Sequence, residues 1–264
     1  MALLDYVQPY FLGALWAIKV VAVFLVPMLL VELVRPGRRL HAPTVIFNLL
    51  YAPVYLTIGG MLLDPLVRAT GPWIPANRLG WSVASAPQWQ VALLVGGYLL
   101  AFDFFYYWFH RMQHAWPVMW RFHRFHHADP NVSVSSSTRH HWIEEALRFF
   151  VMVAPLTFLF GSPDRTLPWL GITIGVLGMF IHWNASIPLG PLTPVIVGPR
   201  YHRIHHSVQP EHFDKNFAVM FPLWDRLFGT QVLPRVSEFP VTGLGDTARP
   251  NGWRLLLPFP PARG

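Results

Sequence analysis

Hydrophobic residues run through this chain in long blocks, without the alternation that marks half-buried elements of a soluble domain. The first block, Phe11 to Val34, is long enough to cross a bilayer as a helix, which takes about 20 residues. Only Lys19 and Glu32 interrupt it, each near an end, where a long side chain is expected to snorkel to the interface. RPGRR, with Arg35, Arg38 and Arg39, stops the block, and a second one from Pro43 to Leu63 completes a helical hairpin. A Pro/Gly-rich connection, Asp64 to Gln88, then leads to a third block, Trp89 to Phe109, which runs without a break into His110. Two shorter blocks, Leu147 to Phe160 and Leu167 to Trp183, flank GSPDRT. They predict tilted helices or a half-crossing hairpin.

Composition agrees with a lipid solvent. The chain is 53% hydrophobic and 12% charged, against about 25% charged in an average soluble domain. There is no cysteine, which excludes disulfides, iron–sulfur clusters and thiolate metal ligands. The net charge of +7 does not point to nucleic acid: no nucleic-acid motif is present, and the basic residues sit beside apolar blocks. MALLDYVQPY lacks the basic start and cleavage site of a removable signal peptide. Sixteen of the twenty Lys and Arg fall in RPGRR, residues 110–148 and the chain beyond 185, which the hairpins place on one side. The positive-inside rule makes that side the cytoplasm. The expectation is an all-α, multi-pass membrane protein with a helical, histidine-rich metal-binding cap facing the cytoplasm. It divides into 1–88 (hairpin and connection), 89–230 (a histidine-rich region) and 231–264, a Pro-rich tail that hugs the surface or is poorly ordered.

The thirteen histidines are not scattered. His110 and His114 form HxxxH, His123, His126 and His127 form HxxHH, and His202, His205 and His206 form a second HxxHH. His182 ends an apolar block in HWN. Residues three and four apart share one face of a helix, so each cluster aims its imidazoles at one point. One tetrahedral zinc takes about four ligands, so nine imidazoles suit two metals better. A thiolate-free nitrogen set leaves iron, copper, zinc and nickel open. Asp103, seven residues before His110, shares nearly the same helix face. A carboxylate there needs a partner, and accepting from a ligand imidazole would orient that ring. Asp214, Asn216 and Asp225 are candidates for the same role. The aromatic run FFYYWF reads as lipid-facing packing and an interface belt.

The ordered set HxxxH, HxxHH, His182 and HxxHH, with DFFYYWFHRMQH before it and HFDKNFAVMFPLWDRLFGT after it, resembles the fatty acid hydroxylase and sterol desaturase superfamily of integral membrane di-iron oxidases. The resemblance spans about Ala101 to Thr230 and implies that His110, His114, His123, His126, His127, His182, His202, His205 and His206 are ligands to two iron ions. Some members carry a tenth histidine where this chain has Ser186, leaving a water, Asn184 or another histidine to complete the shell. STRHHWIEEALR looks like the family's Arg-x-His-x-x-Glu stretch, which makes His141, Glu144 and Arg148 candidates for support around the ligands or for helix packing. The implied activity uses dioxygen to hydroxylate or desaturate a lipid such as a sterol, fatty acyl chain, ether lipid or carotenoid. Electrons are expected from a separate reductase or carrier, because neither a glycine-rich nucleotide motif nor a haem-carrier region is visible. A bacterial inner membrane is the expected location. A membrane metal transporter is the alternative, but it would spread ligands along a path through the spans rather than gather them at one face. A metalloprotease would need HExxH, and none occurs.

Overall fold

The computed structural model describes residues 3–73, 86–161, 169–245 and 256. Parts of both connections named above and the far end of the tail lie outside the described residues. Three helices are long and apolar enough to span a membrane: α1 (Leu3–Val34), α2 (Ala42–Thr70) and α3 (Gln88–Ala115). Helix α1 packs along α2, yet Leu12, Trp16, Val23, Phe24 and Leu30 point outward and are exposed. Apolar surface of that extent is stable only against lipid.

Helix α2 outruns its hydrophobic block. Asp64, where the sequence suggested a connection, stays helical because Arg68 one turn on binds its carboxylate at 2.9 Å and Tyr10 Oη donates to it at 2.8 Å. Helix α3 ends at Trp116, held extended at φ −100°, ψ 120° by the following Pro117, which starts α4 (Pro117–His127) in a new direction.

The remaining helices are short. The block 147–160 is one helical path: α5 (Glu144–Arg148), a wide π turn over Phe149–Val153, and α6 (Ala154–Phe160). Pro155 follows that turn, and the widening accommodates a ring that cannot continue a regular helix. Helix α7 (Trp169–Ile181) returns toward the histidines, and Leu156 of α6 and Leu170 of α7 bury against Leu94 and Tyr98 of α3. Helices α8 (Pro199–His205) and α9 (Leu223–Leu227) complete the cap. No strand occurs among the described residues, only an isolated bridge between Ser207 and Thr242. That bridge belongs to a strap. Residues 239–243 lie over α8, with Gly243 N donating to His206 O (3.2 Å) and Arg203 Nε donating to Pro240 O (2.8 Å). The first part of the Pro-rich tail is therefore packed structure.

Glu32 does not snorkel. It is completely buried, and its Oε1 accepts the backbone N–H groups of Val134 (2.8 Å) and Asn184 (2.7 Å), joining α1 to two cap loops. RPGRR turns the chain back at this point, and burial under the cap replaces the interface the side chain would otherwise seek. Glu32→Ala leaves two buried N–H groups without acceptors, each worth about 1–3 kcal/mol. The variant is expected to melt well below wild type in detergent, while Glu32→Gln, which keeps an acceptor, recovers most of the loss.

Candidate metal centre

Four backbone elements bring the histidines together. The last two turns of α3 supply His110 and His114, and α4 supplies His123, His126 and His127. The end of α7 supplies His182, and α8 with its C-cap supplies His202, His205 and His206. Their ring nitrogens gather in two groups: His110, His114, His123, His127 and His205 in one, and His126, His182, His202 and His206 in the other. Within each group the potential ligand atoms lie within 4.8 Å of one another. The groups adjoin, with the His127 and His206 rings stacked at 4.4 Å.

The contacts inside each group decide what they are for. Nε2 faces Nε2 at 3.1 Å in His110–His123, His114–His127 and His127–His205. The same distance recurs in His126–His182, His182–His202 and His202–His206. In most of these rings the other nitrogen is already committed. The Nδ1 atoms of His110, His126, His182 and His205 face the carbonyl oxygens of Phe217 (2.8 Å), Arg139 (3.1 Å), Gly178 (2.7 Å) and Lys215 (2.8 Å). Those of His114 and His123 face carboxylates of Asp214 and Glu144, both at 3.3 Å. A carbonyl or carboxylate only accepts, so Nδ1 carries the proton, and the Nε2 of a neutral ring is a bare lone pair.

Burial keeps the rings neutral: it drives His123 down to about 4 and His126 well below its ordinary value, with neighbouring imidazoles adding to the effect in His126. Lone pairs of His126 and His182, or of His110 and His123, therefore face each other 3.1 Å apart with no hydrogen between them. A cation between them removes the repulsion. With metal–nitrogen bonds of about 2.1 Å, nitrogens sharing one ion stand about 3.0 Å apart at right angles and about 3.4 Å apart at the tetrahedral angle. The observed spacing fits ligands of shared ions, and the all-imidazole donor set suits a borderline transition metal.

The supporting residues are arranged less simply than the sequence suggested. Glu144 is buried, accepts from His123 Nδ1 and Gln113 Nε2, and lies 3.5 Å from His140 Nδ1. Asp214 touches His114 directly but is 73% exposed. Asp103 reaches no histidine: it accepts the backbone N–H groups of Val219, Met220 and Phe221 at 2.8–3.0 Å. Asp225 likewise accepts from Phe217 N, Ala218 N, Tyr201 Oη and Thr230 Oγ1. Asn216 bonds Tyr201 O and both backbone groups of Val232. Together these three hold loop 214–221, whose Lys215 and Phe217 carbonyls orient His205 and His110. The loop turns through left-handed backbone at Asp214 (φ 56°) and Asn216 (φ 58°), conformations that Asp and Asn tolerate best among residues with a Cβ.

His141 and Asn184 are placed away from both groups. His141 Nδ1 accepts from Ile143 N, and its ring packs on Phe122. Asn184 bonds Arg38 and Arg203, tying RPGRR to α8. Arg148 pairs with Glu145 at 2.8 Å, and Ser186 is exposed. Two features escaped the sequence reading. His140 stacks on His126 at 4.3 Å, its ring nearly parallel, and the adjacent pair His140 and His141 was the available signal. Asp129, in the DPN turn, accepts from Asn48 and Ser136 and so positions the loop carrying Arg139, whose carbonyl orients His126.

The sequence profile of the fatty acid hydroxylase family matches residues 95–230. The chain belongs to that family. It is 31% identical over 214 residues to ornithine lipid hydroxylase OlsE of Rhizobium tropici, covering 79% of this chain and 64% of that protein. It is 34% identical over 131 residues to human alkylglycerol monooxygenase, covering 50% and 29% of the two. It is 27% identical over 239 residues to a cholesterol 25-hydroxylase-like protein of Danio rerio, covering 84% and 91%. The chain thus spans less than two thirds of the first two relatives. No solved structure matches it.

The difference between Glu144 and Asp214 gives a test of orientation by carboxylates. Replacing a buried carboxylate behind a ligand histidine costs about 10- to 100-fold in metal affinity. Glu144→Ala is expected to lose metal to a competing chelator in that range, and Asp214→Ala, losing an exposed partner, much less.

Proposed function

We propose that this chain is a membrane-embedded di-iron oxidoreductase that uses dioxygen to hydroxylate a C–H bond of a lipid. The observation that carries the reading is the junction of metal centre and lipid-accessible space. A cavity of about 560 Å³ lies among the three spanning helices and α7, and His182 of the four-histidine group forms part of its wall. That volume falls within the roughly 300–1,000 Å³ of small-molecule sites. Its wall is mostly apolar, with Leu25, Leu56, Phe102 and Ile174 among the lining residues. A lipid chain drawn from the bilayer finds there the solvent it leaves.

The nine histidines would hold the ions, five residues forming one candidate ligand set and four the other. The chemistry iron supplies when bound is activation of dioxygen toward an unactivated C–H bond. The protein's part is placement. Nδ1 bonds to backbone carbonyls lock the rings, the apolar wall excludes water, and the smaller histidine set adjoins the cavity through His182. The excess of Lys and Arg in the loops around the centre supports a cytoplasmic position for it, from which a separate electron carrier would supply it. Similarity to the Rhizobium protein favours a bacterial inner membrane. The catalytic unit is residues 89–230, with 1–88 supplying the cavity's other wall.

Gly175 offers a direct test. It lines the cavity on α7, and a Cβ there would meet nothing within 4 Å. Gly175→Leu fills the cavity while gaining helix propensity of up to about 1 kcal/mol. Lipid product labelled from ¹⁸O₂ is expected from the iron-loaded wild type with a chemical or enzymatic reductant. The variant should keep its metal and its melting temperature and lose most product. Full product from the variant would remove the cavity from the reaction, and no labelled product from any lipid class would remove the oxygenase reading.

A further inference from the structure

One group of charged side chains in the cavity wall has no part in holding the histidines. Glu145 and Arg148 line the cavity together with Tyr55 of α2. Tyr55 Oη and Arg148 Nη1 both bind the same carboxylate oxygen of Glu145, Oε1. Arg148 Nε, which is buried, has no hydrogen-bond partner. Buried ionisable groups beside an apolar cavity are costly, and an ion pair is a poor source of stability compared with apolar residues of the same volume. A cavity built only to hold a hydrocarbon chain would not need them. The guanidinium retains unused donors beside a carboxylate whose second oxygen receives no bond among the described residues, so the wall presents a donor and an acceptor side by side. Because the two charges cancel, the pair attracts neither an anion nor a cation strongly.

Resting on the hydroxylase reading, we infer that Tyr55, Glu145 and Arg148 form a polar subsite that takes an uncharged hydrogen-bonding group of the lipid, a hydroxyl or an amide, rather than a free carboxylate or phosphate. Its distance from the metal centre is short. The Tyr55 ring lies 6.0 Å from that of His140, which stacks on His126 at 4.3 Å. Tethering the lipid here fixes how much chain separates its polar group from the reacting carbon, so the position of attack is counted from the polar group and not from the methyl end.

The test is equilibrium binding of tritiated probes to the full chain in nanodiscs at neutral pH, with empty discs subtracted. 1-Hexadecanol is expected to bind at least about tenfold more tightly than hexadecane or palmitate, the effect of one net hydrogen bond to a charged group. The triple variant Tyr55→Phe, Glu145→Leu, Arg148→Met removes every partner at once, leaving no orphaned charge. It should bind the alcohol and the alkane equally. Equal binding of alcohol and alkane by the wild type, tighter binding of palmitate, or discrimination surviving in the triple variant would each overturn the subsite. The wild-type comparison decides even if the variant does not fold. Binding needs neither reductant nor dioxygen, so its failure is separable from failure of the hydroxylase reading, which metal content and ¹⁸O incorporation report.

Discussion

Six pairs of imidazole nitrogens facing each other at 3.1 Å are the constraint on which the rest of this structure depends. Lone pairs do not approach in that way without a cation, and buried imidazoles cannot supply one by protonation at neutral pH. An empty centre is therefore a cost to the fold, and under the proposed di-metal reading metal binding and folding would be coupled. This explains why so much buried polar structure lies around it. Four carbonyls, two from loop 214–221, one from the Arg139 loop and one from α7, each fix one ring, and both loops are in turn fixed by side chains.

Those fixing side chains are carboxylates placed where a membrane protein can least easily afford them. Asp103 and Asp225 together accept seven hydrogen bonds, five of them from backbone N–H groups of residues 217–221. Glu32 joins two further loops. A buried carboxylate satisfied by backbone donors turns an irregular loop into a rigid one, at the depth where lipid meets cap and water is scarce. The strap over α8 does the same from the outside, binding Arg203 and the carbonyl of His206.

The spans and the gathering of the nine histidines were legible because each is carried by a local pattern: block length for the helices, i, i+3, i+4 spacing for the histidines. The grouping into five and four was not legible, since HxxHH splits between the two groups: His123 and His127 go one way and His126 the other. Asp103 was read as touching a histidine because helix spacing put both on one face. In the structure, loop 214–221 comes between them, and a contact 116 residues away in sequence leaves no local trace. Glu32 was misread for a related reason: a lone acid ending an apolar run looks the same whether it meets water or a buried loop. The helix end at Leu63 failed on a local competition, where a Pro/Gly-rich connection was read from Asp64 onward but Arg68 and Tyr10 satisfied the Asp64 carboxylate within the helix.

The most direct measurement is the metal content of the detergent-purified chain, by elemental analysis, for wild type and for variants that each strike one group. About two irons per chain are expected in wild type, from the two ligand groups and the handful of ligands a borderline ion takes. His126→Ala should deplete the four-histidine group, His205→Ala the five-histidine group, and the pair together should abolish binding. A wild-type chain grown with iron and purified gently that holds no transition metal, or metal that survives the double substitution, would contradict the account at its foundation.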